Sequence, residues 1–99
     1  MKGNMNKYQK ILHDQDVKFA ELLWNTNCLF HSGKEAKVEF SNGEWCSILG
    51  GDSNVYGDGV ETFELMTSVH TPEVFGWLSK KDLMKKINDV KNRKGIEDE

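Results

Sequence analysis

Ninety-nine residues with 13 basic and 16 acidic side chains, a formal net charge of −3 and 37% apolar content predict one domain around a single core. Three Trp, five Phe and two Tyr supply the apolar area such a core needs, and the acidic balance argues against broad nonspecific binding to nucleic acid. No run approaches the roughly 20 apolar residues of a membrane helix, no apolar stretch follows Lys2 as a signal peptide would require, and two thiols, Cys28 and Cys46, read as the reduced side chains of a cytoplasmic protein.

Over residues 6–24, Tyr8, Ile11, Leu12, Phe19, Leu22 and Leu23 fall at helical spacing and predict an N-terminal helix. His13-Asp14-Gln15-Asp16 interrupts the stripe, and Asp14 or Asp16 is placed to cap a second short helix near Val17. Antiparallel strands are expected over 36–69. Ala36, Val38 and Phe40 alternate with Lys37 and Glu39, Ser41-Asn42-Gly43 has the residues of a tight hairpin, and the segments 44–49 and 60–69 continue the meander. Phe63 and Leu65 share one face of the last strand, with Glu61 and Glu64 outside.

Thr71-Pro72 marks a turn, and Val74-Phe75-Gly76-Trp77-Leu78 is a compact apolar segment, a short strand or a bend. A C-terminal helix is expected over 79–94. Ser79 fits its N-cap with Asp82 three residues on, Leu78 and Leu83 fit a hydrophobic staple, and Leu83, Met84, Ile87 and Val90 form its buried stripe. Lys91, Arg93 and Lys94 suit its negative end and Gly95 its close.

The loop Gly50-Gly51-Asp52-Ser53-Asn54-Val55-Tyr56-Gly57-Asp58-Gly59 starts like a calcium loop. Counted from Asp52, however, Tyr56 and Phe63 stand where a helix–loop–helix calcium site needs oxygen donors, so the segment reads as a turn. It lacks the Gly-Lys-Ser/Thr ending of a phosphate loop. Cys28 and His31 have the spacing of half a zinc site, but His13, Cys46 and His70 are scattered singly. No metal and no cofactor is therefore expected, and no catalytic residue, because no Ser or Cys stands in a nucleophile setting. Cys46 is expected as a small buried hydrophobe. Of the three tryptophans two are expected in the core, Trp77 beside Leu78 among them, and Trp45 after the hairpin turn is a candidate interface anchor.

Two charged surfaces stand out. Asp52, Asp58, Glu61 and Glu64 gather about the central loop, and Lys80, Lys81, Lys85 and Lys86 open the last helix. A solvated helix face accounts for the lysines. The acidic loop, with Asn54, Tyr56 and Trp45, is the candidate docking surface for a basic groove on a partner protein.

Phe40-x-Asn42-Gly43, Ser47-Ile48, Tyr56-Gly57, Phe63-Glu64-Leu65, Thr71-Pro72 and Val74-x-Gly76-Trp77-Leu78-Ser79-x-x-Asp82-Leu83 resemble a group of small bacteriophage and prophage proteins. These share an asparagine-glycine hairpin, a tyrosine-glycine loop, a phenylalanine-glutamate-leucine strand and a glycine-tryptophan-leucine lead-in to the final helix. The resemblance spans residues 38–90, and Asn6-Lys7-Tyr8-Gln9-Lys10-Ile11 with Ala20-Glu21-Leu22-Leu23 is similar to the openings of other short phage proteins. It implies an accessory role and carries no catalytic residue over.

The resulting expectation is an α+β fold, a three- or four-stranded antiparallel sheet with an N-terminal and a C-terminal helix. The expected function is a non-enzymatic phage or mobile-element factor that binds and inhibits a host defence complex, in the manner of an anti-CRISPR against a CRISPR effector. One alternative is a small nucleic-acid-binding regulator using Lys80, Lys81, Lys85 and Lys86. The other is a ligand-sequestering protein with the central loop as a lid. A homodimer through a sheet edge is compatible with each.

Overall fold

The computed structural model describes residues 9–10 (backbone only), 15–26, 33–52 and 55–92. Six regular elements follow in chain order: β1 (Gln9–Lys10), β2 (Lys34–Glu39), β3 (Trp45–Gly50), β4 (Thr62–Thr67), β5 (Val74–Ser79) and α1 (Lys80–Asn92). The strands form one sheet in the order β1-β2-β3-β4-β5. Strands β2 to β5 are an antiparallel meander, and the two residues of β1 add in parallel to Val38 and Glu39 of β2. The fold is α+β, as the patterning predicts, with the apolar segment before the helix as its fourth antiparallel strand.

Alternation decides which face of the sheet meets the core. Ala36 and Val38 of β2, Cys46 and Ile48 of β3, and Phe63, Leu65 and Thr67 of β4 point inward. Helix α1 lies against β3, β4 and β5 and adds Leu83, Ile87 and Val90, its expected stripe. The hairpin between β2 and β3 has a three-residue loop: the Phe40 N–H donates to the Glu44 carbonyl, the Gly43 N–H to the Phe40 carbonyl, and Asn42 Oδ1 accepts the Glu44 N–H at 2.9 Å. Gly43 has φ 90°, a left-handed conformation that costs glycine little. The tip is tied to the helix end, because Asn42 Nδ2 donates to the Lys91 carbonyl at 3.2 Å.

At the start of α1, Ser79 Oγ accepts the Asp82 N–H at 3.1 Å, the predicted N-cap bond. Before it, Thr67 closes the turn around the cis Thr71–Pro72 peptide. Its hydroxyl accepts the His70 N–H and its carbonyl accepts the Thr71 N–H and hydroxyl, which explains a fully buried threonine.

The expected N-terminal helix is absent from the described residues. Within 15–26 there is only a single 3₁₀ turn, Phe19–Glu21. The reason lies 71 residues away: Asn88 of α1 takes both backbone groups of Val17, Oδ1 accepting the N–H at 2.7 Å and Nδ2 donating to the carbonyl at 3.0 Å. A helix through Val17 needs those same groups for its own i,i+4 ladder. Part of the apolar stripe still packs inward without a helix: Val17 and Leu22 are buried, and the Phe19 and Trp24 rings lie 5.5 Å from that of Phe63, whereas Leu23 is exposed. Tyr8, Ile11 and Leu12 lie outside the described residues.

Candidate functional site

Strands β4 and β5 lose register once. Phe63 pairs with Leu78 and Leu65 with Phe75, so Gly76 and Trp77 both stand opposite Glu64. This is a β-bulge, the local device that bends a strand and re-aims a side chain. Trp77 sits there at φ 57°, a region that costs a residue bearing Cβ roughly 1–2 kcal/mol, and its side chain points outward, leaving the residue 62% exposed. Its expected place in the core is thus corrected, because the bulge breaks the alternation that would have turned Trp77 inward.

Tyr56 lies beside it, 57% exposed, with ring centroids 6.4 Å apart. The pair is held by backbone. The Trp77 N–H donates to the Tyr56 carbonyl at 2.7 Å, and the Tyr56 N–H donates to Glu64 Oε1 at 2.9 Å. Gly76 is required for this approach, since a Cβ there would meet Tyr56 Cβ at 2.6 Å. Sequence reading missed Trp77 as a surface residue, although a glycine inside a strand pattern is the usual sign of a bulge.

Asp58 forms the other side of the loop. Its Oδ1 accepts the N–H groups of Val60, Glu61 and Thr62 at 2.8, 2.8 and 3.0 Å. The three bonds, that of Thr62 first, hold its pKa down at about 2. They also take the backbone donors that would have extended β4 back to residue 60, so the strand begins at Thr62 and Glu61 lies in a bend before it. Asp52, expected as a docking residue, is instead 8% exposed. A cavity of about 410 Å³ opens between these groups, lined by Gly51, Asp52, Val55, Gly57, Asp58 and Trp77.

The structure therefore brings together Asp52, Tyr56, Asp58 and Glu64 from the expected set and adds Trp77. Asn54 lies outside the described residues. Trp45 is not brought together with them: it begins β3, whose far end at Gly50 leads into the loop, five residue steps or roughly 17 Å away. Its N–H donates to Ser68 Oγ, which donates in turn to Glu44 Oε1.

The four helix lysines do not share a face. At about 100° per residue, Lys80 and Lys86 flank the buried stripe while Lys81 and Lys85 lie opposite it. Lys80 Nζ sits 5.1 Å from the Phe19 ring centre and Lys86 Nζ 4.3 Å from that of Phe75, contacts that use the ammonium groups to roof the core. Lys85 pairs with Asp89 at 3.3 Å. A groove of about 570 Å³ along this helix is walled by charges of both signs, Lys81 and Lys85 with Asp16 and Asp89.

Cys46 is fully buried, and burial, with Glu44 adding to it, pushes its thiol up to about 12. It packs as an apolar group rather than a thiolate. Among the described residues no three His, Cys, Asp or Glu side chains group as metal ligands, and no helix is long and apolar enough to cross a membrane. Cys28, His31 and His13 lie outside the described residues. Compared with protein-family models, curated proteins and solved structures, the chain matches none.

Proposed function

We propose that this chain is a non-enzymatic accessory protein, of phage or mobile-element type, that binds a host protein complex through the Trp77–Tyr56 face and inhibits it. One observation carries the reading: the indole of Trp77 is held outward at φ 57° and 62% exposed. Backbone strain of that kind persists only where the surroundings enforce it, and it concentrates at functional positions. Exposed Trp and Tyr are the side chains most often found as energetic anchors of protein interfaces. Asp58, Glu61 and Glu64 beside the pair favour a basic partner surface, where opposite charge speeds encounter and fixes orientation. The resemblance to small phage proteins supplies the class of partner, a host defence complex of the kind anti-CRISPR proteins bind.

The test is affinity capture from bacterial lysate after nuclease treatment, comparing the wild-type chain with Trp77→Ala. A host protein retained in stoichiometric amount by the wild type and lost with the variant supports the reading. Equal capture by both, or capture by neither, removes it.

A further inference from the structure

We propose that Asn42, at the tip of the hairpin between β2 and β3, is a self-modification site: the Gly43 backbone nitrogen attacks its side-chain amide, and the product unties the hairpin from α1. The site is separate from the Trp77 face, and its test does not depend on a partner.

The sequence singles out the pair. Asn42 is the asparagine followed by glycine, and a residue without Cβ leaves its own nitrogen open to approach. Both residues are exposed, and a Cβ built on Gly43 meets nothing within 4 Å, so water reaches the tip. The carbonyl under attack is already polarised. Its Oδ1 accepts the Glu44 N–H at 2.9 Å, a donor placed where negative charge develops as Cγ becomes tetrahedral. The Gly43 N–H meanwhile donates to the Phe40 carbonyl at 2.9 Å, which holds the nucleophile back until the tip opens. Asp58–Gly59 is the comparable acidic pair, but the Asp58 carboxylate stays ionised down to about pH 2, and an anion resists attack at its carbon.

The step needs only water. A bond forms between the Gly43 nitrogen and Cγ of Asn42, the Cγ–Nδ2 bond breaks, and ammonia leaves with the proton of the Gly43 amide. Water then opens the cyclic imide at either carbonyl, giving aspartate or isoaspartate. Neither product restores the contact that the amide made. Asn42 Nδ2 donates to the Lys91 carbonyl at 3.2 Å, in the last turn of α1, where carbonyls lack a partner within the helix. A carboxylate has no proton to give there, and it brings negative charge to the negative end of the helix. Isoaspartate also lengthens the main chain of the loop by a methylene group, against the register that the turn sets.

The experiment is incubation of the purified chain in warm, mildly alkaline buffer, folded and in urea, with peptide mapping by mass spectrometry over time. Asn42 should gain the mass of an amide-to-acid exchange ahead of every other asparagine. Urea should speed its conversion by at least about threefold, because the Phe40–Gly43 bond no longer guards the nitrogen. Conversion first at another asparagine, or at none, overturns the site, and equal rates with and without urea overturn the guard. The consequence is read separately on Asn42→Asp by amide hydrogen exchange. The Asn92 amide at the end of α1 should exchange about three- to tenfold faster than in the wild type, while that of Ile87, in mid-helix, keeps its protection. Unchanged exchange at Asn92 overturns the untying of the hairpin.

Discussion

Asp58 is exposed and yet its carboxylate acts on the fold, since Oδ1 holds three consecutive N–H groups and its pKa falls from 3.8 to about 2. A group whose pKa is lower in the folded state stabilises that state above its unfolded value and loses the contribution as pH falls through the folded one. Stability should therefore drop between about pH 4 and pH 2 as Asp58 protonates. In Asp58→Asn this part of the acid limb should be missing, as read by urea denaturation at stepped pH. If the two proteins lose stability in parallel over that window, the carboxylate is not what holds the turn. The acidic character of the loop was plain in the sequence. That Asp58 is bound to backbone while Asp52 is nearly buried was not, because spacing gives the charge of a loop and not the direction of its carboxylates.

In β5 one inserted residue decides what the strand displays. Two residues of β5 face one of β4, and the side chain that strand alternation from Phe75 would have turned inward is presented to solvent. Trp77→Gly should relieve the left-handed conformation and leave stability unchanged or raise it by up to about 1 kcal/mol, while abolishing partner capture. Thermal denaturation beside the capture assay checks both halves, and a clear loss of stability would mean that the indole serves packing. Local signals made other elements legible: Asn42-Gly43 set the hairpin, the alternation around Phe63 set β4, and Ser79 with Asp82 set the start of α1. The N-terminal segment misled because its apolar spacing is helical while its backbone is claimed by Asn88. Tertiary contacts of that range leave no mark in a sequence window.

At the scale of the molecule, α1 covers one face of the sheet and the segment 15–26 closes the core at one end, where Trp24 stacks on Phe63, Phe19 is tilted against both rings and Lys34 Nζ lies 4.8 Å from the Trp24 ring centre. Phe63 is fully buried and joins the sheet to that aromatic group. Phe63→Ala should cost about 3–5 kcal/mol, measured by urea denaturation, and it should broaden the Trp24 and Phe19 signals together. A loss below about 1 kcal/mol would show that the segment does not depend on this ring. The bulge has one more effect. Among the described residues, strand β5 is the last on its side of the sheet, and such a border offers a row of amides to any passing chain. Here the amide of Trp77 already holds Tyr56, and the two-for-one insertion breaks the repeat that a visiting strand would have to match. The arrangement that displays the indole thus also interrupts the regular row of amides through which copies of the chain would pair along that border.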